Sequence, residues 1–136
     1  MRPTRVLQLC TLALAVASTT SLGAQLAPAV VAIAAGDTVT VVHQSVFDRG
    51  PASPTPGKRL DVQYTTQIPP SDANGRLAQA DRAAAFFGPE AIRIGARMLS
   101  IGICDTQACV ERRHPPSAWY LYERIRDGWR RKAPDR

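Results

Sequence analysis

The sequence predicts a small α+β fold, in which a small antiparallel sheet carries two helices packed on one face and ends in a C-terminal β-hairpin. Three observations lead to this expectation. Apolar residues recur at helical spacing over residues 77–87. Apolar and polar residues alternate over residues 60–68, which is typical of a half-buried strand. Near the C-terminus, an Asp127-Gly128 pair separates two strand-like segments.

The first predicted helix begins at Asp37 or Thr38, because either residue can act as an N-cap. Residues at helical spacing follow in the order Val39, Val42, His43, Val46 and Phe47. A proline-rich surface loop then occupies residues 49–58 and leads to the alternating strand.

The second predicted helix begins near Asp72 or Asn74. Its buried stripe consists of Leu77, Ala80, Ala84 and Phe87. We expect the helix to end at Gly88-Pro89, since glycine and proline are common at and beyond helix C-termini. Strands follow, with a change of phase between Ile94 and Leu99 that predicts a turn or bulge at residues 95–97.

The closing hairpin allows two registers. A two-residue turn at Asp127-Gly128 would place Arg124 opposite Arg131, and like charges in that position are unfavourable. We therefore predict a three-residue turn over residues 126–128, which pairs Ile125 with Trp129. That register gathers apolar residues on one face, namely Trp119, Leu121, Ile125, Trp129 and Ala133. It places a basic and aromatic set on the other face, namely Tyr120, Tyr122, Arg124, Arg130 and Lys132.

This Tyr/Arg face (Tyr120, Tyr122, Arg124, Arg130 and Lys132) is the candidate binding site. Residues 112–136 hold eight basic and three acidic groups, and basic groups between aromatic rings suit phosphate-bearing ligands. Because an exported protein rarely meets nucleic acid, we expect an anionic envelope component as partner, such as lipopolysaccharide, anionic phospholipid or another acidic polymer. For this face the sequence favours the other interpretation, a solvated sheet edge, where arginines discourage pairing between edges.

The N-terminus has the three zones of a secretion signal. Two basic residues precede an apolar run over residues 6–17, and small residues lead to cleavage after Ala24 or, as second choice, after Ala17. No transmembrane segment is expected in the mature chain, because neither apolar run reaches the roughly 20 residues of a spanning helix. We therefore predict a signal peptide at residues 1–24, a flexible segment at residues 25–36 and a single α+β domain at residues 37–136. We also predict that the protein is exported by a bacterium, either to the periplasm or out of the cell.

Cys104 and Cys109 are the only cysteines outside that signal. In an oxidising compartment, this spacing favours a disulfide across a tight turn. A zinc site with His114 and a redox dithiol are the alternatives; the zinc site lacks an obvious fourth ligand, and no Cys-x-x-Cys is present. We predict the disulfide, and neither a metal nor a cofactor.

Candidate catalytic residues are few. His43 lies among apolar positions of the first predicted helix, where a lone histidine is more often structural than a general base. The sequence contains no nucleophile-elbow motif, zinc-protease motif, P-loop or dinucleotide-binding motif. The sequence therefore favours a binding or structural module of the cell envelope or extracellular space over an enzyme. The alternative is a small-pocket enzyme or ligand carrier on a cone-like α+β fold, with His43 or Tyr64 lining a cavity.

A resemblance to known proteins rests on the order of these features. The chain resembles small exported bacterial proteins of unknown function in the order of its features. These are a signal peptide, a short helix, a Pro-rich loop, a strand and a Cys-x4-Cys turn, followed by Trp119-Tyr120-Leu121-Tyr122 and Asp127-Gly128-Trp129-Arg130. The closing hairpin is also similar to the last strands of nuclear-transport-factor-2-like domains. That resemblance implies a cone-shaped fold, which hosts both enzymes and binding modules.

Overall fold

The computed structural model describes residues 27–54 and 56–133, in which six strands and two helices follow one another. In chain order they are β1 (Ala29–Ala34), β2 (Asp37–Asp48), β3 (Lys58–Thr65), α1 (Ala73–Arg93), β4 (Ala96–Ile103), α2 (Gln107–Val110), β5 (Ala118–Ile125) and β6 (Gly128–Arg131). The signal peptide predicted for residues 1–24 lies outside the described residues.

The six strands form one curled sheet in the order β1-β2-β3-β4-β5-β6. All neighbours are antiparallel except β3 and β4, which are parallel. A parallel pair needs a crossover connection, and α1 supplies it. This helix packs on the inner face of the sheet and contacts both edge strands, β1 and β6.

The predicted fold class is wrong in its balance of helix and strand. Strands make up 43% of the described residues and helices 24%, and the sheet is mixed rather than antiparallel. One helix of 21 residues packs on the sheet, whereas α2 is a four-residue turn of helix. The first predicted helix does not form, because residues 37–48 are the strand β2.

Two properties of residues 37–48 account for the strand. Six of the twelve residues are β-branched, and such side chains fit a strand better than a helix. The strand also has an irregularity between Val41 and His43. Because a bulge shifts the alternation by one residue, apolar positions on its two sides fall three and four residues apart. That spacing imitates a helix.

The segment 25–36, predicted to be flexible, contains β1 and the turn into β2. Ile33 of β1 is buried in the core, and the turn includes Gly36 in the left-handed region. β1 pairs with β2 along its length. Once residues 37–48 are assigned to a helix, the sequence offers β1 no partner, and for this reason the pattern does not reveal it.

The helix α1 begins as predicted and ends later than predicted. The carboxylate of Asp72 caps it by accepting a hydrogen bond from the Gly75 N–H at 2.9 Å. Ala80, Ala84 and Phe87 are buried, as the helical spacing predicts. Gly88 and Pro89 do not stop the helix, which continues to Arg93, so Ile92 is helical and Ile94 is the C-cap rather than a strand residue.

The centre of the core lies on β3 and β4. Their inward side chains are fully buried and comprise Leu60, Val62, Tyr64, Leu99, Ile101 and Ile103. The alternation predicted for both strands is confirmed, although β3 ends at Thr65 rather than at Ile68. Burying one such aliphatic side chain contributes about 1.5–3 kcal/mol, so this double row supplies much of the free energy that holds α1 to the sheet.

Candidate anion-binding cleft

The C-terminal hairpin is present, but its register is not the one predicted. A two-residue turn at residues 126–127 joins β5 to β6, and Ile125 pairs with Gly128. Arg124 therefore lies opposite Trp129, and Glu123 lies opposite Arg130. This register is favourable because Arg130 donates to the Glu123 carboxylate at 2.9 Å through its Nε.

The five residues of the predicted Tyr/Arg face do not share one surface. Tyr122 is only 3% exposed, and Tyr120 packs partly buried against the core, so both belong to the side covered by α1. Arg124 alternates with them on that side. Arg130 and Lys132 alternate onto the outer face of the sheet, where Arg130 binds Glu123. The interleaved surface that the sequence suggested is therefore not formed.

Tyr122 has a structural partner on α1. Its hydroxyl donates to Asp81 at 2.8 Å, and Arg131 donates to both oxygens of that carboxylate at 2.8 Å. Burial, followed by the hydrogen bond to Asp81, raises the pKa of Tyr122 far above its ordinary value. The phenol is thus a neutral hydrogen-bond donor that ties the hairpin to the helix.

Cys104 and Cys109 form the predicted disulfide, with Cα atoms 5.4 Å apart and both residues buried. The bond joins the end of β4 to α2, which Thr106 caps through its side chain. Because both sulfurs are in the disulfide, neither is a free thiolate that could bind zinc with His114. Among residues 27–54 and 56–133, no three His, Cys, Asp or Glu side chains group as a metal site would require.

A partly buried ion pair holds the loop that the disulfide closes. Arg76 of α1 donates to the two oxygens of Asp105 at 2.6 and 2.8 Å, and also to the Ile68 carbonyl. Ser117 donates to the same carboxylate. The hydrogen bond from Arg76, followed by that from Ser117, holds the pKa of Asp105 below its ordinary value. Asp105 is thus bound to α1, and Ser117 closes the segment 105–117 by bonding to Asp105 and to the Ile103 carbonyl.

Above this fixed segment, a basic cleft of about 390 Å³ opens on the outer face of the sheet. It is lined by His43, Gln63, Arg112, Arg113, His114, Pro115, Pro116 and Trp119. Four of these lining residues are basic, namely two arginines and two histidines, and none of them carries a carboxylate. We call this set of residues the basic cleft.

The floor of the basic cleft is one row of residues across four strands. His43 pairs with Gln63, Gln63 with Gly102, and Gly102 with Trp119. A Cβ on Gly102 would lie 3.0 Å from the indole of Trp119 and 2.9 Å from Pro116. Because Gly102 has no side chain, the rings of Trp119 and Pro116 can pack directly on the sheet. Trp119 remains 45% exposed beside the cleft.

Arg112 forms the rim of the basic cleft in an unusual backbone conformation. It is the one non-glycine residue of the described part with a positive φ, at 62°. The conformation ends α2, because the N–H of Arg112 bonds the Cys109 carbonyl and that of Arg113 bonds the Ala108 carbonyl. Holding a non-glycine residue there costs on the order of 1–3 kcal/mol.

The side chains of the rim differ in their partners. Arg112 reaches across to His43, with its Nη2 2.9 Å from the ring Nε2. Arg113 instead donates to Glu111 at 2.8 Å, in a pair that is well exposed. The Arg112 guanidinium contacts both ring nitrogens of His43, and in a neutral imidazole one of these nitrogens accepts a hydrogen bond. An anion placed beside this pair would accept from further N–H groups of the guanidinium.

The sequence pattern does not reveal the basic cleft, although it contains one local signal of it. Arg112-Arg113-His114 is the densest cluster of basic side chains before the closing hairpin. Its significance depends on His43 and Gln63, which are 69 and about 50 residues away along the chain from Arg112. His43 was assigned to a helix, so its place opposite Gln63 could not be inferred.

Comparison of the chain with protein-family models, with curated proteins and with solved structures yields no match. The resemblance to small exported proteins and to nuclear-transport-factor-2-like hairpins therefore stays a prediction. Within the described residues, no helix is long and apolar enough to cross a membrane.

Proposed function

We propose that this chain is an exported binding module that holds an anionic phosphate group of an envelope component in the basic cleft. The observation that carries the proposal is the convergence of His43, Arg112, Arg113 and His114 beside the exposed indole of Trp119. Export itself rests on the signal-like N-terminus, and the Cys104–Cys109 disulfide is compatible with an oxidising compartment.

The charge of the basic cleft supports an anion as ligand. Two arginines stay charged at any physiological pH, and their guanidinium groups suit oxygen-rich anions such as phosphate. The residues that line the cleft include no carboxylate, and the nearby carboxylate of Glu111 is paired with Arg113. A phosphate bound beside Arg112 and His43 would accept charge-assisted hydrogen bonds from the guanidinium of Arg112.

Trp119 supports a ligand that is larger than a free ion. Its indole lies on Gly102 at the side of the cleft. Trp119 is 45% exposed, whereas tryptophan side chains are usually largely buried. A flat apolar ring next to a cationic rim fits the glycerol or sugar portion of a phosphorylated lipid. The phosphate provides charge recognition, and the ring provides apolar contact.

A vesicle experiment tests the proposal on the mature chain. We expect sedimentation with vesicles of phosphatidylglycerol and phosphatidylcholine at low salt, and release at about 0.5 M salt, where the Debye length falls to a few ångströms. Vesicles of phosphatidylcholine alone should not retain the protein. Glycerol phosphate added in excess should compete if the phosphate group itself is recognised. No retention at low salt would refute the proposal.

Two matched variants locate the site. Arg112→Gly removes a cation and also relieves the left-handed backbone, so we expect retention to fall about tenfold while the urea midpoint does not fall. Because the urea midpoint of this variant does not fall, a loss of binding cannot result from unfolding. Arg124→Ala removes one exposed cation of the originally predicted Tyr/Arg face and should leave retention unchanged. An equal loss in both variants would show a diffuse charge effect and exclude the basic cleft.

The alternative of a small-pocket enzyme or ligand carrier requires a cavity with converging ionisable groups between sheet and helix. An open cleft of about 690 Å³ lies between α1 and the hairpin, and its polar end consists of Asp81, Tyr122 and Arg131. These three groups are hydrogen-bonded to one another. They already satisfy each other in a structural contact, so we keep binding at the basic cleft as the proposed function.

A further inference from the structure

The cleft between α1 and the hairpin has the form of a groove beside a sheet edge. One wall is a stripe of α1 that runs from Asp81 to Ile92, about 16 Å long at 1.5 Å per residue. The other wall is β6, the last strand of the sheet, which has no strand beyond it among the described residues. We call this the α1–β6 groove.

The open side of β6 presents backbone groups. Lys132 donates its N–H to the Leu121 carbonyl at 2.8 Å, which marks this pair as a hydrogen-bonded pair of the antiparallel ladder. Bonded residues alternate in such a ladder, so Arg130 also faces β5. The N–H and C=O groups of Trp129 and Arg131 consequently point away from β5, along the open edge.

The helical wall of the groove is largely apolar, whereas Asp81, Tyr122 and Arg131 form its polar end. Ala85, Gly88, Pro89 and Ile92 line its helical wall, and Ile92 is 42% exposed. The indole of Trp129 extends from β6 onto Gly88, where a Cβ would lie 2.5 Å from its Nε1, and covers that part of the cleft of about 690 Å³. The exposed apolar part of the wall therefore consists of Ala85, Pro89 and Ile92.

The outer side of the same strand is basic. Arg130 and Lys132 alternate onto the face opposite the groove, whereas Trp129 and Arg131 point toward it. Arg130 is paired there with Glu123, so Lys132 gives this face a net positive charge. A guest strand beside β6 would thus have an apolar face toward α1 and a face toward positive charge on the other side.

We propose that β6 accepts an extended peptide segment of a partner protein, which adds a seventh strand to the sheet. Its alternate side chains are apolar and enter the α1–β6 groove, and the intervening side chains are acidic and face Arg130 and Lys132. Main-chain hydrogen bonds to Trp129 and Arg131 supply the pairing. The charge complementarity selects an acidic strand over a basic one. This site shares no residue with the basic cleft.

The probe is the peptide acetyl-Glu-Val-Glu-Val-Glu-Val-amide, titrated into the mature chain by calorimetry. We expect measurable binding that weakens about tenfold for the matched peptide with lysine in place of glutamate. Two further peptides carry N-methyl groups on either all valines or all glutamates. In a strand beside β6, the N–H groups of alternate residues point toward β6, so only one of the two sets forms hydrogen bonds with it. The peptide methylated on that set should fail to bind, and the other should bind. Equal binding of both methylated peptides would overturn the proposal.

Hydrogen exchange locates the contact. On binding, the amides of Trp129 and Arg131 should exchange about tenfold more slowly, while that of Arg130, already bonded to β5, should change little. Ala85→Phe fills the groove and should abolish binding, whereas Ala78→Phe places the same ring on an exposed position of α1 outside the groove and should not. Binding without protection of Trp129, or equal effects of the two variants, would refute a strand at β6.

Discussion

Arg76–Asp105 and Asp81–Arg131 are two of the Arg–Asp contacts that connect α1 to the rest of the molecule, and they differ in burial. Toward its N-terminal end, Arg76 binds Asp105 with two nitrogens on two oxygens, and the arginine is only 5% exposed. Five residues further along, Asp81 binds a single nitrogen of Arg131, and both side chains are well exposed. Each aspartate also accepts a hydrogen bond from a hydroxyl group, of Ser117 or of Tyr122.

The comparison shows that similar chemistry has different consequences at different depth. The Arg76–Asp105 pair is screened less by solvent than the Asp81–Arg131 pair, and it holds the segment that carries the basic cleft. The Asp81–Arg131 pair gains little in water, so apolar packing must hold the hairpin to the helix. Gly88 is where that packing is tightest, since a Cβ there would lie 2.5 Å from the indole nitrogen of Trp129.

Asp105→Ala should have the largest effect on stability. It leaves the buried guanidinium of Arg76 without its carboxylate, which costs about 3 kcal/mol in the free energy of unfolding. Urea unfolding of the mature chain, followed by circular dichroism, measures the loss. The double variant Arg76→Met with Asp105→Ala removes the stranded charge and should regain part of the stability. A single-variant loss below that of Asp81→Asn would contradict the difference in burial.

The same pair predicts an acid-labile step. The pKa of Asp105 is held below its ordinary value in the folded state, chiefly by the hydrogen bond from Arg76. Its contribution to stability is therefore complete above the unfolded-state pKa and is lost as pH falls through the lower folded-state pKa. We expect the free energy of unfolding to drop below about pH 4 in the native chain and to drop less steeply in Asp105→Asn. Parallel slopes for the two proteins would contradict this.

Gly88→Ala tests the apolar contact of the hairpin. Alanine improves helix propensity by about 1 kcal/mol, but its Cβ would overlap the rigid indole of Trp129. We expect a net loss of about 1–2 kcal/mol in urea unfolding. In a Trp129→Leu background the overlap is absent, and the same substitution should then stabilise the protein. A stabilising effect in the native background would show that the indole moves freely.

The sequence allowed good prediction where a pattern was local. The alternation over β3 and β4, the Asp72 cap and the buried stripe of α1 each depend on neighbours within a few residues. The strand β2 was assigned wrongly because its bulge near Val42 imitates helical spacing. A continuous hydrophobic pattern cannot distinguish a helix from a strand that changes phase once.

The hairpin register and the basic cleft depended on tertiary contacts. Trp129 lies opposite Arg124 because its indole packs on Gly88 of α1, a position that hairpin chemistry alone does not reveal. Likewise, His43 meets Arg112 only after four strands are placed side by side. Residue type indicated a basic, aromatic C-terminus, but strand order decided which of its side chains face solvent together.

Asp81→Asn should have the smallest effect of these substitutions. The amide oxygen can still accept from the Tyr122 hydroxyl, and the lost ion pair with Arg131 is exposed to solvent. We expect a change of no more than about 0.5 kcal/mol in the free energy of unfolding, and less at high salt, where the charges are screened. A loss near that of Asp105→Ala would mean that this pair, rather than the packing of Trp129 on Gly88, holds the hairpin to α1.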